Sequence, residues 1–180
     1  HELLVFTNQC QVYKCKVAAF EDTKSAQLGS YLPTELEMDP DETVTWIVDP
    51  EDYKADVLFV FENGRVARVA LSGYATKTNR KRLKNAMYGG SRLLFATVLV
   101  SSDYRLMNFS TSLLRTKTTN NTQGVRAFVA KEGRTVTMVG KAEEFLGGEA
   151  SLDKFQVASL PSSGVPMKET DMKSLFDLDE

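Results

Sequence analysis

The stretch Val57–Tyr74 reads VLFVFENGRVARVALSGY: an apolar run, a short polar turn, then a second run of alternating character. Asn63-Gly64 at its centre is a strong two-residue hairpin signal, because both residue types tolerate positive φ. The pattern recurs 54 residues upstream as LLVFTNQCQVYKCKVAAF (Leu3–Phe20) and 40 residues downstream as TVLVSSDYRLMNFSTSLL (Thr97–Leu114). These repeats place Cys10 and Tyr104 where Gly64 falls, so their turns are expected to differ in detail. The sequence predicts three hairpins.

Further strand-like runs follow each hairpin, and no segment shows a helical period over three turns. They are Thr43–Val48, Arg92–Ala96, Val125–Val129 and Thr135–Val139. The lone Trp46 lies in the first of these runs and is expected in the core. Strands without helices at a period of 40 to 54 residues predict an all-β fold, either propeller-like blades or a β-solenoid.

The composition is that of a soluble globular chain of 180 residues, 42% hydrophobic and 26% charged. Its longest apolar run, Val57–Phe61, is far shorter than the roughly 20 residues that span a bilayer. The start at His1 inside an apolar run suggests a fragment of a longer protein without a signal peptide. Cys10 and Cys15 are five positions apart and should face opposite ways in one strand, which predicts reduced thiols and a cytoplasmic location.

Charge is strongly polarised along the chain. Between Asn63 and Lys131 there are thirteen basic residues and a single acidic one, Asp103, although the whole chain carries a net charge of −2. A long basic block with many hydroxyl and amide side chains is typical of a phosphate-binding surface. The alternative is a solvated face whose charges are balanced by acidic loops in three dimensions.

Catalytic and metal-binding signatures are missing from the sequence. The only histidine is His1, and neither a CxxC pair nor a P-loop, GxGxxG or HExxH motif occurs. The acidic groups Asp39-Asp41-Glu42 and Asp49-Glu51-Asp52 could form a weak cation site, but solvated loops between strands account for them as well. We therefore predict no catalytic residue, metal site or cofactor in this chain.

Several ordered motifs are specific enough to compare with a known family. Thr122-Gln123-Gly124-Val125, followed by a strand and Gly133-Arg134-Thr135-Val136, resembles the blade-closing TQGV segment of the C-terminal domains of bacterial type IIA topoisomerase A subunits, in topoisomerase IV and gyrase. Phe61–Val66 (FENGRV) is similar to the strand-turn-strand signature that opens each blade in that family. Tyr74–Leu83 (YATKTNRKRL) resembles its inter-blade connection. The resemblance covers about residues 1–167.

This resemblance implies a β-pinwheel of about three to four propeller-like blades with exchanged strands over residues 1–167. It implies a non-catalytic domain that binds and bends double-stranded DNA. The implied partners are an upstream breakage-reunion domain and an ATPase B subunit, in an ATP-dependent DNA topoisomerase. Nothing in the sequence matches the basic glycine-rich box with which gyrases wrap DNA. Either the box lies upstream of His1 or the parent is topoisomerase IV-like, and we favour the second interpretation over a gyrase-type wrapping domain. The alternative from another class is a protein-interaction β-propeller.

The DNA-binding residues are predicted in the basic block, most of them in its connections. They are Arg65, Lys77, Arg80, Lys81, Arg82, Lys84, Arg92, Arg115, Lys117 and Arg126. Arg65 and Arg68 have opposite parity on one strand, so at most one of them shares that face.

The chain changes character near its C-terminus. Ser162-Ser163-Gly164 is expected to be a flexible link, and residues 168–180 form an acidic tail. The tail could be disordered, could compete with DNA for the basic surface, or could dock through Leu175, Phe176 and Leu178.

Overall fold

The computed structural model of the protein describes residues 1–76, 80–90, 93–94, 98–141, 144–145 and 152–176. Within these residues the chain forms short strands, two α-helices of four or more residues and several short 3-10 helices. The strands are β1 Glu2–Thr7, β2 Val12–Lys16, β3 Val44–Val48, β4 Asp56–Phe61, β5 Arg65–Ala70, β6 Arg82–Leu83, β7 Leu93–Leu94, β8 Val98–Ser101, β9 Arg105–Asn108, β10 Val125–Arg126, β11 Val136–Gly140 and β12 Val165–Pro166. The α-helices are α1 Leu32–Glu35 and α2 Glu169–Phe176. None of the helices formed by the described residues has the length and apolar character that a bilayer crossing requires.

The strands form three four-stranded antiparallel sheets, each built on one of the predicted hairpins. Sheet 1 has the order β3-β1-β2-β6, sheet 2 the order β10-β5-β4-β7, and sheet 3 the order β11-β8-β9-β12. Sheet 1 lies in one compact unit of the chain, and sheets 2 and 3 lie in another. The all-β prediction is confirmed, and the β-solenoid alternative is wrong because the sheets are separate and antiparallel.

Strands are exchanged between sheets along the chain. Strand β6 pairs with β2 of sheet 1, although β4 and β5 of sheet 2 precede it in sequence. In the same way β10 pairs with β5 of sheet 2 after the hairpin of sheet 3 has formed. Every sheet thus receives its fourth strand from a segment far downstream of its own hairpin.

The three hairpin turns have the same backbone conformation, which corrects the expectation that they differ. Cys10, Gly64 and Tyr104 all have positive φ, at 59°, 79° and 56°. The amide of each donates to the carbonyl three residues earlier, over 3.2 Å at Cys10, 2.8 Å at Gly64 and 3.0 Å at Tyr104. Cys10 therefore lies in a turn rather than in the strand with Cys15, and both thiols are free.

Each unit has its own apolar core. In the unit of sheet 1, Val5, Tyr13 and Cys15 pack with half-buried side chains that include Leu36 of α1. Trp46 is half-buried there, with its ring 5.7 Å from that of Phe6. In the other unit, a core joins sheets 2 and 3 through buried residues from both, namely Val60, Val66, Met107, Phe109, Leu114, Ala127, Phe128 and Val136.

The C-terminal region is more ordered than the sequence suggested. Ser162-Ser163-Gly164 is not a free link, because Ser162 exchanges two backbone hydrogen bonds with Ala127 and Val129, of 2.8 and 2.9 Å. Beyond it, residues 169–176 of the predicted acidic tail form α2. Asp171 of this helix is buried, accepts from the Lys168 amide and forms an ion pair with Lys154. Residues 177–180 of the predicted tail lie outside the described residues.

Candidate nucleic-acid interface

In the unit of sheet 1, the candidate residues lie on and around the exchanged strand β6. Arg80, Lys81 and Lys84 are exposed. Within the described part of the chain, Arg80 and Lys81 form no ion pair, and Lys81 is held only through its carbonyl, which accepts from the Lys14 amide at 2.7 Å. Their side chains are therefore available to an anion in solution.

Arg82 differs from its neighbours because its guanidinium is committed within the protein. It forms an ion pair with Asp39, donates to the side-chain oxygen of Gln11, and lies 5.5 Å from the centre of the Tyr13 ring. Its hydrogen bond holds the pKa of Asp39 below its usual range. Arg82 thus attaches β6 to sheet 1, a structural role that the sequence did not reveal.

The acidic groups considered for a cation are used by the fold. Glu42 is buried and accepts hydrogen bonds from the Thr7 hydroxyl, from the Tyr13 hydroxyl at 2.7 Å and from the Asp39 amide at 3.0 Å. Burial, together with Glu42, raises the pKa of Tyr13 to about 12. Asp49 caps the amide of Glu51 at 2.9 Å in a turn. No cluster suited to a metal ion occurs among the residues that the structure describes.

In the unit of sheets 2 and 3, the candidates line the outer edge of β5. Strand β10 lies on this edge with Arg126 directly opposite Arg65, and Lys117 forms a bridge with Val69 further along it. Arg115 is exposed two residues before Lys117. We call Arg65, Arg115, Lys117 and Arg126 the β5-edge cluster. Arg65 is half-buried and donates weakly to the Gly124 carbonyl at 3.5 Å, whereas the other three are exposed without an ion pair in the described chain.

Other cations of the basic block are neutralised or engaged internally. Asp103, its single acid, forms ion pairs with Lys131 at 3.0 Å and with Arg134 at 2.7 Å. Arg105 donates to the carbonyls of Ser163 and Gly164. Arg68 donates to the Thr111 carbonyl at 3.5 Å. Lys77 and Arg92 lie outside the described residues. The block is therefore only partly a free basic surface.

A cavity of about 760 Å³ opens beside β2 in the unit of sheet 1. Its floor is apolar and includes Tyr13, Cys15, Phe20 and Leu36, and its rim carries both acidic and basic side chains. Burial raises the pKa of the Cys15 thiol, which keeps the less nucleophilic, protonated form. Arg80, Lys81 and Arg82 line this cavity together with Glu2, Glu35 and Glu37, so the candidate cations of this unit border a cavity of mixed charge.

No family model matches the sequence. No curated protein matches it either.

Solved structures, in contrast, match over nearly the whole chain. The C-terminal domain of DNA topoisomerase IV superposes with a TM-score of 0.68 at 20% identity, over 92% of this chain and 58% of that one. The E. coli ParC C-terminal domain has a TM-score of 0.68 at 11% identity, over 93% of this chain and 77% of that one. The C-terminal domain of DNA gyrase A has a TM-score of 0.54 at 18% identity, over 91% and 58%.

The chain has the β-pinwheel fold of these C-terminal domains. The pinwheel prediction is thereby confirmed, exchanged strands included. The chain spans 58% of the length of the first topoisomerase IV structure and 77% of the ParC structure. At these identities the similarity concerns the fold, and it leaves function to the residues on the surface.

Proposed function

We propose that the chain is a non-catalytic domain that binds double-stranded DNA in a type IIA topoisomerase A subunit, topoisomerase IV-like in type. The fold supports the family assignment, since the solved structures that share it include C-terminal domains of topoisomerase IV and gyrase. The exposed basic residues that form no ion pair in the described chain support DNA as the ligand. The upstream breakage-reunion domain, the ATPase B subunit and the cytoplasmic location belong to the same proposal.

The observation that carries the proposal is a contrast among the basic residues. Arg82, Arg105, Lys131 and Arg134 are bound to carboxylates or carbonyls of the protein. Within the described chain, a second set is exposed and forms no ion pair: Arg80, Lys81, Arg115, Lys117 and Arg126. This set lies on the segments that carry the exchanged strands. Such groups of exposed cations without ion pairs fit a polyanion.

Binding by these residues is electrostatic and independent of sequence. Each phosphate that a cation neutralises releases counterions, so the observed affinity falls as salt rises. Lys117 of the β5-edge cluster lies opposite Val69, which is four positions from Arg65 along β5. That spacing is roughly 13 Å, the axial length of about four successive phosphates of one DNA strand.

In the whole enzyme such a domain would hold a DNA segment near the breakage-reunion domain and raise its effective concentration there. Bending the duplex costs on the order of 1–6 kcal/mol for a short site, which several distributed phosphate contacts can offset. The topoisomerase IV-like assignment rests on the missing glycine-rich box in the sequence.

The test is the salt dependence of DNA binding in folded variants. Arg80→Ala with Lys81→Ala should reduce the slope of log affinity against log salt by about 2, and the triple change of Arg115, Lys117 and Arg126 to alanine by about 3. The control is Lys24→Ala with Lys141→Ala, two exposed cations outside both groups, which should leave the slope unchanged. Unchanged slopes in the folded test variants, or a large preference between two unrelated duplexes, would refute the proposal.

A second experiment separates the proposed type from a gyrase-type wrapping domain. A plasmid relaxed and ligated with the chain bound should show no change in linking number. Trapping of one sign of supercoil would assign the chain to the wrapping type. Failure to bind DNA at low salt would favour a protein-interaction propeller instead.

A further inference from the structure

The three exchanged strands occupy equivalent places on their sheets. Leu83 of β6 pairs with Val12, Val125 of β10 with Val66, and Val165 of β12 with Leu106. Val12, Val66 and Leu106 are separated by the same 54 and 40 positions that separate the hairpins. A backbone bond to the turn carbonyl is also repeated, because the amides of Ala86, Ala127 and Met167 donate to the carbonyls of Cys10, Gly64 and Tyr104. Ala86 lies three positions after Leu83, whereas Ala127 and Met167 lie two positions after Val125 and Val165.

On the exchanged strands, the residue type just before Leu83, Val125 or Val165 differs between the sheets. It is Gly124 for sheet 2 and Gly164 for sheet 3, but Arg82 for sheet 1. The hairpin residue that follows the positive-φ turn residue differs in a complementary way. It is Arg65 in sheet 2 and Arg105 in sheet 3, but the uncharged Gln11 in sheet 1.

Sheets 2 and 3 each combine an arginine on the hairpin with a glycine on the incoming strand. Arg65 donates to the Gly124 carbonyl at 3.5 Å, and Arg105 donates to the Gly164 carbonyl at 3.0 Å. A Cβ at Gly124 would overlap the Val66 carbonyl. A Cβ at Gly164 would lie 2.7 Å from the Phe128 ring. On sheets 2 and 3 the hairpin therefore supplies the cation, and the glycine position of the incoming strand has no room for a side chain.

Sheet 1 has the opposite arrangement, with the cation on the incoming strand. Arg82 donates to the Gln11 side chain and forms an ion pair with Asp39, and its guanidinium packs over Tyr13. Gln11 is itself buried; its side-chain nitrogen donates to Asp39, and its side-chain oxygen accepts from Arg82 of the incoming strand.

We propose that these paired residues determine which exchanged strand each sheet accepts. An arginine-bearing strand on sheet 2 would place its guanidinium beside Arg65 and its Cβ in the Val66 carbonyl. A glycine-bearing strand on sheet 1 would leave Asp39 without its cation and Gln11 without its donor. Each described exchanged strand is only two residues long, and backbone pairing alone carries no sequence information. The penalties for wrong pairing therefore supply the specificity.

The experiment is a double-mutant cycle in the full chain that converts the site on sheet 1 to the type on sheets 2 and 3. Arg82→Gly alone and Gln11→Arg alone should each raise the unfolding equilibrium constant about tenfold, through a lost partner or a like-charge contact. The double variant Gln11→Arg with Arg82→Gly should recover, with a constant at least tenfold below the product of the single effects. Simple additivity in the cycle would overturn the proposal.

Matched controls keep the result interpretable. Lys81→Gly replaces the exposed neighbour of Arg82, so its effect should add to that of Gln11→Arg without coupling. Hydrogen exchange supplies a local measurement if a variant is too unstable for equilibrium unfolding. In Arg82→Gly the amides of Lys14 and Ala86, which bond to the β6 segment and to the turn, should lose protection more than those of Ala127 and Met167. A uniform loss of protection at all four amides would also overturn it.

Discussion

Arg65 and Arg126 lie directly opposite each other on the antiparallel strands β5 and β10. Like charges at directly opposed positions of a sheet destabilise it, yet no carboxylate pairs with Arg126 in the described chain. We predict that Arg126→Glu will raise the free energy of unfolding by about 0.2–1 kcal/mol, because it creates a cross-strand ion pair with Arg65. The same change should weaken DNA binding and lower its salt dependence. Urea unfolding and DNA titration at several salt concentrations measure the two effects.

The prediction is specific because the stability of the protein should rise while its affinity for DNA falls. Arg126→Lys keeps the charge and should change neither quantity much. A variant Arg126→Glu that is more stable and binds DNA as tightly as the original chain would remove Arg126 from the proposed interface.

Gly124 in the TQGV segment is predicted to be intolerant of any side chain. Its φ is +63°, and a Cβ there would overlap the Val66 carbonyl of the neighbouring strand. Gly133 has a similar φ of +71°, but a Cβ there meets nothing within 4 Å. Gly133→Ala should therefore cost only the left-handed backbone penalty of about 1–2 kcal/mol. Gly124→Ala should cost at least about 2 kcal/mol more, since overpacking adds to the same strain.

Chemical unfolding of the two alanine variants provides the comparison. Equal losses of stability would show that the close approach of Gly124 to β5 is not what requires glycine in this motif.

Strained turn residues offer a stabilising change. Tyr104 holds a φ of 56° and is 66% exposed, so its side chain contributes little burial in return for the strain. Tyr104→Gly should stabilise the protein by about 0.5–1 kcal/mol, because relief of about 1–2 kcal/mol exceeds the entropy that glycine adds to the unfolded chain. Gly64→Ala in the equivalent turn should destabilise by about 1–2 kcal/mol. Thermal unfolding of both variants tests the pair, and a destabilised Tyr104→Gly would show that the tyrosine ring has a structural contact of its own.

The hairpins could be predicted from the sequence because alternation and the Asn63-Gly64 turn are local signals. The sequence did not predict that all three turns share one conformation, because local preference disfavours positive φ at Cys10 and Tyr104. The repeated bond from the exchanged strand to the turn carbonyl favours this conformation in all three copies. Tertiary structure overrides local preference here.

The sequence predicts that the candidate interface is basic, but it does not show which basic residues are exposed and which are bound within the protein. Arg80, Lys81 and Arg82 are indistinguishable as neighbours in a basic run, and only the fold brings Asp39 to Arg82. One signal in the sequence could have revealed the third exchanged strand. Gly124-Val125 and Gly164-Val165 are 40 residues apart, the same offset as the second and third hairpins. The serines before Gly164 suggested a flexible link and concealed that repeat.

Asp103 should make the stability of the protein sensitive to acid. It accepts from Arg134, Ser101 and Lys131, and the Arg134 hydrogen bond is the main reason that the pKa of Asp103 lies far below its usual range. A carboxyl with a lowered pKa in the folded state stabilises it fully above the unfolded pKa of about 3.9, and the contribution is lost as the pH falls toward the folded value. Asp103→Asn should therefore reduce stability at pH 7, with a difference from the original chain that shrinks as the pH falls from about 4 to 2. Urea unfolding across this range measures the difference, and Asp22→Asn, which removes an exposed carboxyl outside the ion pairs of the described residues, controls for general charge. A gap for Asp103→Asn that stays constant from pH 7 to pH 2 would show that the pairs with Arg134 and Lys131 do not stabilise the fold.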